Sequence, residues 1–307
     1  MGPTSTAGSN LLAALLRRCR FPEADAPLTC AVSGGPDSLA LLALACEAGC
    51  DVTAVHVDHG LRPGSGEEAA VVAAAAARFG AGFRTEQVTV PPGPDLEARA
   101  RAARRAVLPA GHATGHTADD RAETILLAVL RGAGLDGIAA LPPGHEHPIV
   151  ELRRSDTHAL CADLGLEPVR DASNDDPRFR RNRVRHEVLP LLDDVAGRDV
   201  VPLLCRLADL AGDDSALLDE LARVAVEDPT AARAVATAPT ALARRALRSW
   251  LREHTDDERH PPEAAAVERV LAVARGEAVG TDVGFGLAVR RTGQQLRVES
   301  SQPRADQ

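Results

Sequence analysis

The stretch Leu28-Thr29-Cys30-Ala31-Val32-Ser33-Gly34-Gly35-Pro36-Asp37-Ser38, with the apolar run that follows it from Leu39 to Ala48, decides the fold. A short apolar run, a glycine turn and a longer apolar run make a strand, a tight loop and a helix. Adjacent glycines let the backbone turn sharply and approach a ligand closely. The loop opens onto a helix N-terminus, where unpaired N–H groups and the positive end of the dipole attract anions. Ser33 and Ser38 place a hydroxyl at each end of it. Asp37 is out of place beside bare phosphate, because a carboxylate repels it, and makes sense with Mg2+ between the two. The loop therefore reads as a seat for a Mg2+-bound polyphosphate. It is not a Walker A loop, since no Gly-Lys-Ser/Thr follows and the chain contains no lysine. The bland alternative is an ordinary glycine turn before a capped helix; serine at both ends and Asp at the fifth position argue against it.

Outward from this loop, strand-like and helix-like runs alternate. Asn10–Arg20 has helical spacing, Asp51–Val57 reads as a strand, Glu67–Phe79 as an alanine-rich helix and Phe83–Val90 as a third strand. Asp95 caps a helix running to Leu108, Ala110–Thr114 is a short strand, and Thr117–Leu130 and Ser155–Leu164 are helices. Such alternation predicts an α/β fold, a Rossmann-like parallel sheet covered on both faces. Ligands then sit past the C-terminal ends of the strands. Ser33–Ser38, His56–Arg62 and Thr114–Glu123 all fall at that edge.

Past Pro190 the character changes to helices at Val200–Val226, Ala241–His254 and Glu263–Arg275, with a hairpin from Leu287–Arg291 and Gln295–Glu299. The division is expected near Ala196–Asp199. This gives a catalytic domain over 1–196, a smaller, mostly helical domain over 197–300 and a tail over 301–307.

A chain of 307 residues has room for both domains. Hydrophobic content of 45% is ordinary, while 2% aromatic residues and the lack of tyrosine point to biased composition rather than function. No apolar run reaches the roughly 20 residues of a membrane span, and Met1–Asn10 lacks a charged and apolar leader, so a cytoplasmic protein with no membrane partner is expected. Six scattered cysteines without a Cys-x-x-Cys pair suit reduced thiols better than a metal site. A net charge of −9 argues against nucleic acid wrapped over the whole surface, but arginine is dense at Arg99–Arg105 and Arg178–Arg185.

Four clusters carry candidate chemistry. Spacing of four and seven puts His116, Asp120 and Glu123 on one helix face. Such a set can hold a cation or orient an amine; the alternative is an acidic first turn that complements the helix dipole. His56 and Asp58 end a strand, where a ligand-lining and a structural histidine are equally reasonable. Arg101 and Arg104 share a helix face, which is either an anion contact or a solvated surface. Five arginines between Arg178 and Arg185, Arg183 and Arg185 among them, form a patch suited to phosphate or nucleobase, or one paired with Asp171, Asp175 and Asp176.

The loop resembles the SGGxDS loop of the PP-loop, or N-type, ATP pyrophosphatases, which split ATP between the α and β phosphates and adenylate a substrate oxygen. Taken with His56-Val57-Asp58-His59-Gly60-Leu61-Arg62, Thr114–Thr124 with Leu130–Gly134, and Asp171-x-Ser173-Asn174 with Arg180–Pro190, the chain resembles the tRNA(Ile)-lysidine synthetase family. The resemblance implies a ligase that adenylates the wobble cytidine of the CAU-anticodon tRNA(Ile) with ATP and Mg2+. L-lysine is then joined at C2, with AMP and pyrophosphate released.

By the same resemblance Ser33, Gly34, Gly35, Pro36, Asp37 and Ser38 hold the pyrophosphate, Asp37 holds the metal, and His56 and Asp58 line the nucleotide pocket. His116, Asp120 and Glu123 bind or orient lysine and the activated base; Arg101, Arg104, Arg183 and Arg185 meet tRNA or phosphate; a homodimer is admitted. The sequence departs from the family at Arg105, where an aromatic residue is usual, and at His147-Pro148-Ile149-Val150, where arginine-proline-leucine-leucine is usual. The competing readings are another PP-loop tRNA-modifying or amidating enzyme, and a nucleotide- or tRNA-binding protein without chemistry.

Overall fold

The structure is a computed structural model that describes residues 6–58, 65–89, 96–169, 176–255 and 263–301. His59–Arg62, Asp95, Asp171, Ser173 and Asn174 lie outside the described residues, as do residues 302–307 of the expected tail and the side chain of Arg101.

The chain divides into two compact units, Met1–Gly212 and Asp213–Gln307. The first runs α1 (Thr6–Leu16), β1 (Pro27–Ala31), α2 (Pro36–Glu47), β2 (Asp51–Asp58), α3 (Ser65–Phe79), β3 (Gly82–Gln87), α4 (Leu96–Val107), β4 (Ala113–Thr114) and α5 (Ala118–Leu130). It continues through α6 (Leu135–Ile138), α7 (Arg154–Asp163), α8 (Arg180–Arg183), a π-helical turn over Val184–Val188, α9 (Leu189–Ala196) and α10 (Val201–Ala225). The division falls inside α10, beyond the Ala196–Asp199 expected from the sequence.

Strands β1 to β4 form one parallel sheet in the order β3-β2-β1-β4. The chain steps from β1 outward to β2 and β3, then returns to add β4 on the other side of β1. That reversal opens a crevice between the C-terminal ends of β1 and β4, the position where α/β folds bind ligands. The loop Ser33–Ser38 leaves β1 there, and Gly115–Thr117 leaves β4.

Helix α2 is buried along Ser38–Ala45 on every face, which is why its sequence is apolar without a polar stripe. It packs with Cys30 and Val32 of the first strand region, Val52 and Ala54 of β2, and Ile149, Leu152 and Leu160 around α7. This core fixes the loop's two ends. A second apolar cluster joins Ala118 and Ala122 of α5 to Val184, Leu189, Val200 and Val201. It seats the arginine-rich segment against α5.

The second unit holds the remaining part of α10 and α11 (Ala232–Thr237), α12 (Thr240–Arg252) and α13 (Ala264–Arg275). An antiparallel sheet of β5 (Gly280–Gly284), β6 (Leu287–Thr292) and β7 (Gln295–Ser300) follows. Trp250, Leu247, Val270, Leu271, Val289 and Leu296 belong to its core. The expected hairpin is β6–β7; β5 is an added strand. No helix among the described residues is long and apolar enough to cross a membrane.

Candidate active site

The glycine loop is shaped from within. Gly34 has φ +88°, a conformation side chains rarely adopt, and a Cβ there would stand 3.1 Å from Val169 Cγ2. The Ser33 N–H donates to Ser38 Oγ at 3.2 Å, and Ser38 Oγ donates to the Gly35 carbonyl at 2.9 Å. The two hydroxyls lie 3.3 Å apart. Gly35, the N-cap of α2, supplies no side-chain cap, so the first amides of this helix have none. Uncapped amides beside two hydroxyls suit a polyphosphate.

The neighbouring strand end presses close. A Cβ on Gly115 would lie 2.9 Å from the Asp37 carbonyl carbon and oxygen, so only glycine lets β4's exit pass the loop. His56 is 2% exposed, and its Nδ1 donates to the Val32 carbonyl at 3.0 Å. Its Nε2 is buried with no hydrogen-bond partner among the described residues. That nitrogen is an acceptor beside the loop, which a ligand or water N–H or O–H can satisfy. Asp58 is half-buried at the end of β2. The loop, Asp37 and this unmet acceptor fit a nucleotide with its cation.

Asp37 sits in the first turn of α2 and takes a short hydrogen bond from the Thr157 hydroxyl of α7. Burial pushes its carboxyl above the ordinary aspartate range, against the pull of Thr157 and Arg154. Arg154 Nε is 3.8 Å from Asp37 Oδ2.

From the other side, Arg154 reaches α5. Its terminal nitrogen donates to Asp120 Oδ1 at 3.0 Å and to Glu123 Oε1 at 3.2 Å. Arg181 donates to Glu123 Oε2 at 2.7 Å and Asp120 Oδ1 at 3.3 Å. Arg185 donates to both Glu123 oxygens, at 2.7 and 3.1 Å, and stands 3.7 Å from Asp120 Oδ1. Glu123 has no exposed surface. Two carboxylates thus meet three guanidiniums.

Asp120 has a second duty. Its Oδ2 accepts from the Thr117 N–H and hydroxyl, both at 2.9 Å, closing a capping box at the start of α5. Burial alone would raise its pKa, but Arg154, Arg181 and His116 hold it down at about 2.

The helix face expected to carry His116, Asp120 and Glu123 carries only the two carboxylates: His116 precedes the N-cap Thr117, outside α5, and lies beside the pair. The Thr114 hydroxyl bridges His116 Nδ1 at 2.7 Å and His147 Nδ1 at 2.9 Å, and also meets the Glu146 carbonyl at 3.1 Å. The two rings are edge-on, 5.3 Å apart. His147, where the family pattern has arginine, is therefore part of the His116 environment.

The arginine-rich segment differs from a single surface patch. Arg181 and Arg185, four apart, turn inward to α5. Arg178 pairs with Asp176, and Arg183 pairs with Glu187 across one helical turn. Arg185 is held by Glu123 in this structure, whereas Arg183 remains 60% exposed. Arg104 is half-buried on α4, where burial and Arg105 lower its pKa. No hydrogen bond or ion pair among the described residues ties it to the loop or the acidic pair.

Sequence reading missed Arg153, Arg154, Asp119 and Thr157. Asp119 accepts from the Arg153 side chain at 2.9 and 3.1 Å and from the Arg154 N–H at 2.7 Å, fixing the start of α7. Arg153 also pairs with Asp199. A signal existed: two arginines at a helix N-terminus oppose the dipole, so acidic partners must come from elsewhere.

Comparison with known proteins agrees with this fold. Residues 9–192 match the PP-loop domain family, and residues 231–297 match the TilS substrate binding domain. The chain is 43% identical over 282 residues to the tRNA(Ile)-lysidine synthase of Nocardia farcinica, covering 87% of this chain and 88% of that one. It is 39% identical over 285 residues to the enzyme of the same name from Rhodococcus erythropolis, covering 86% and 87%. Among solved structures, the U34-tRNA thiolase NcsA of Methanococcus maripaludis, with its [4Fe-4S] cluster, shares the fold. It has a TM-score of 0.52 at 14% identity and covers 67% of this chain and 80% of that one. With its ATP-binding loop domain, its substrate-domain match and relatives of this identity along most of its length, the chain belongs to the tRNA(Ile)-lysidine synthase family.

Proposed function

We propose that this chain is a cytoplasmic ligase that joins L-lysine to C2 of the wobble cytidine in the CAU-anticodon tRNA(Ile), using ATP. The cytidine O2 attacks the α-phosphorus, and pyrophosphate leaves. The lysine amine then attacks C2, loses its proton, and AMP leaves with the oxygen.

The amides and hydroxyls of Ser33–Ser38 hold the pyrophosphate part, and His56 closes the strand edge beneath it. Asp37 holds Mg2+, which neutralises phosphate charge. Asp120 and Glu123 bind the amine end of lysine. His116, positioned beside the pair by the Thr114 hydroxyl on its Nδ1, takes the proton the amine must lose. Arg183 meets the tRNA backbone, and the helical C-terminal unit holds the tRNA body.

The observation that carries this reading is the placement of a phosphate loop and a buried carboxylate pair on opposite sides of one arginine, Arg154. One site can then serve both an anionic and a cationic substrate. The test is pyrophosphate release with the CAU transcript and ATP·Mg2+ before lysine is added, in the wild type and in Asp37→Ala. The proposal expects release in the wild type and at least a hundredfold loss in a folded variant. Unchanged release in the variant removes Asp37 from the mechanism.

A further inference from the structure

The acidic pair is already full. Glu123 Oε1 receives Arg154 and Arg185, and Oε2 receives Arg181 and Arg185. Asp120 Oδ1 receives Arg154 and Arg181, and Oδ2 is spent on the α5 cap. By formal charge, with Asp37 counted beside Arg154, three carboxylates face three guanidiniums and leave the cluster without net charge. An ammonium entering it meets no net negative charge and finds every oxygen of Asp120 and Glu123 engaged. A cationic substrate therefore needs one arginine to leave.

Arg154 is the arginine built to do so. Of the three it alone has an ion pair with the phosphate loop among the described residues, through Asp37. Its backbone is pinned, because its N–H donates to Asp119 at 2.7 Å, while its side chain keeps 21% exposure. The guanidinium can turn about a fixed stalk. With Arg154 gone from the pair, Arg181 and Arg185 balance Asp120 and Glu123, two charges against two. A polyphosphate on the loop competes for this guanidinium, since it brings several negative oxygens that accept charge-assisted hydrogen bonds on the Asp37 side of Arg154.

We propose that Arg154 couples the two substrate sites: without nucleotide it occupies the place of the lysine ammonium on Asp120 and Glu123, and with polyphosphate on the loop it turns to the phosphates and releases that place. This rests on the assignment of nucleotide to the loop and lysine to the acidic pair. It makes lysine binding depend on nucleotide binding, and by linkage the reverse by the same factor.

The experiment is calorimetric titration of L-lysine into the full chain, with and without saturating α,β-methylene-ATP and Mg2+. The wild type is expected to bind lysine at least tenfold more tightly with the nucleotide. Arg154→Met is expected to bind lysine more tightly than the wild type when nucleotide is absent, with the nucleotide effect reduced below twofold. Arg154→Lys, which keeps a cation, is expected to retain part of it. Equal lysine affinity with and without nucleotide in the wild type overturns the coupling, as does tenfold coupling retained in Arg154→Met. Arg154→Gln repeats the test if the methionine variant does not fold. A failure of the underlying assignment has its own signature. If Asp120→Asn and Glu123→Gln leave lysine affinity of the nucleotide-bound protein unchanged, lysine binds elsewhere and the coupling falls with its site.

Discussion

Replacing Glu123 by glutamine keeps the side chain's size and removes its charge. Glu123 is fully buried and accepts four hydrogen bonds from Arg154, Arg181 and Arg185, two on each oxygen. A glutamine has one acceptor oxygen, so whichever way the amide turns, two bonds are lost and its NH2 faces guanidinium donors. At about 1.5–3 kcal/mol for each bond involving a charged group, the loss is about 3–6 kcal/mol. Removing one side of a buried ion pair costs about 3–5 kcal/mol, which agrees. The arginines keep 21–24% exposure, so water recovers part of it and about 4 kcal/mol is the working figure. At about 2–4 °C per kcal/mol for a unit of this size, the melting temperature of the first unit falls by about 8–16 °C. Circular dichroism melts of the full chain measure this, with exposed Glu220→Gln as the surface control, expected within about 0.5 kcal/mol of the wild type. A fall below about 3 °C would refute the reasoning, because the arginine cage would then not be holding α5 to α7 and α8.

Three further outcomes follow from the geometry. Gly115→Ala puts a Cβ 2.9 Å from Asp37 backbone atoms, which must shift the first turn of α2; nucleotide affinity is expected to fall at least tenfold in a titration. Arg183→Ala removes only a surface pair with Glu187, so the melting temperature stays within about 1 °C while tRNA affinity falls more than ATP affinity. Equal losses in separate titrations contradict that. Acid should loosen the first unit through Asp120, whose folded pKa of about 2 lies below its ordinary 3.8. A depressed pKa stabilises the fold above the unfolded value, and that stability drains as pH falls from about 3.8 to about 2. The contribution is on the order of 2 kcal/mol. Urea midpoints of wild type and Asp120→Asn should converge across that window, and a constant gap would contradict it.

Much of the site was legible because it is local. The loop Ser33–Ser38, the face shared by Asp120 and Glu123, and strand-helix alternation depend on neighbours a few residues away. The sheet order was not legible, because β4 joins β1 across about eighty residues of chain by backbone pairing that leaves no mark in side chains. Strand β5 escaped notice because Gly-Thr-Asp-Val-Gly carries glycine at both ends and weak β preference. Arg181 and Arg185 read as part of a surface patch, yet their spacing of four already placed them on one helix face, which turns to Glu123. Arg154 was invisible for a different reason. Its partners come from α2 and α5, and only the misfit of two cations at a helix N-terminus hinted at them.

The most direct test of the central claim is nucleoside mass spectrometry after incubation of the chain with L-lysine, ATP·Mg2+ and a transcript of tRNA(Ile) bearing the CAU anticodon. The account predicts lysine joined to the wobble cytidine, with AMP and pyrophosphate formed in equal amounts, and no product from Asp37→Ala. An unmodified cytidine in the presence of folded wild-type protein, or a modified one with ADP and phosphate as the by-products, would contradict it.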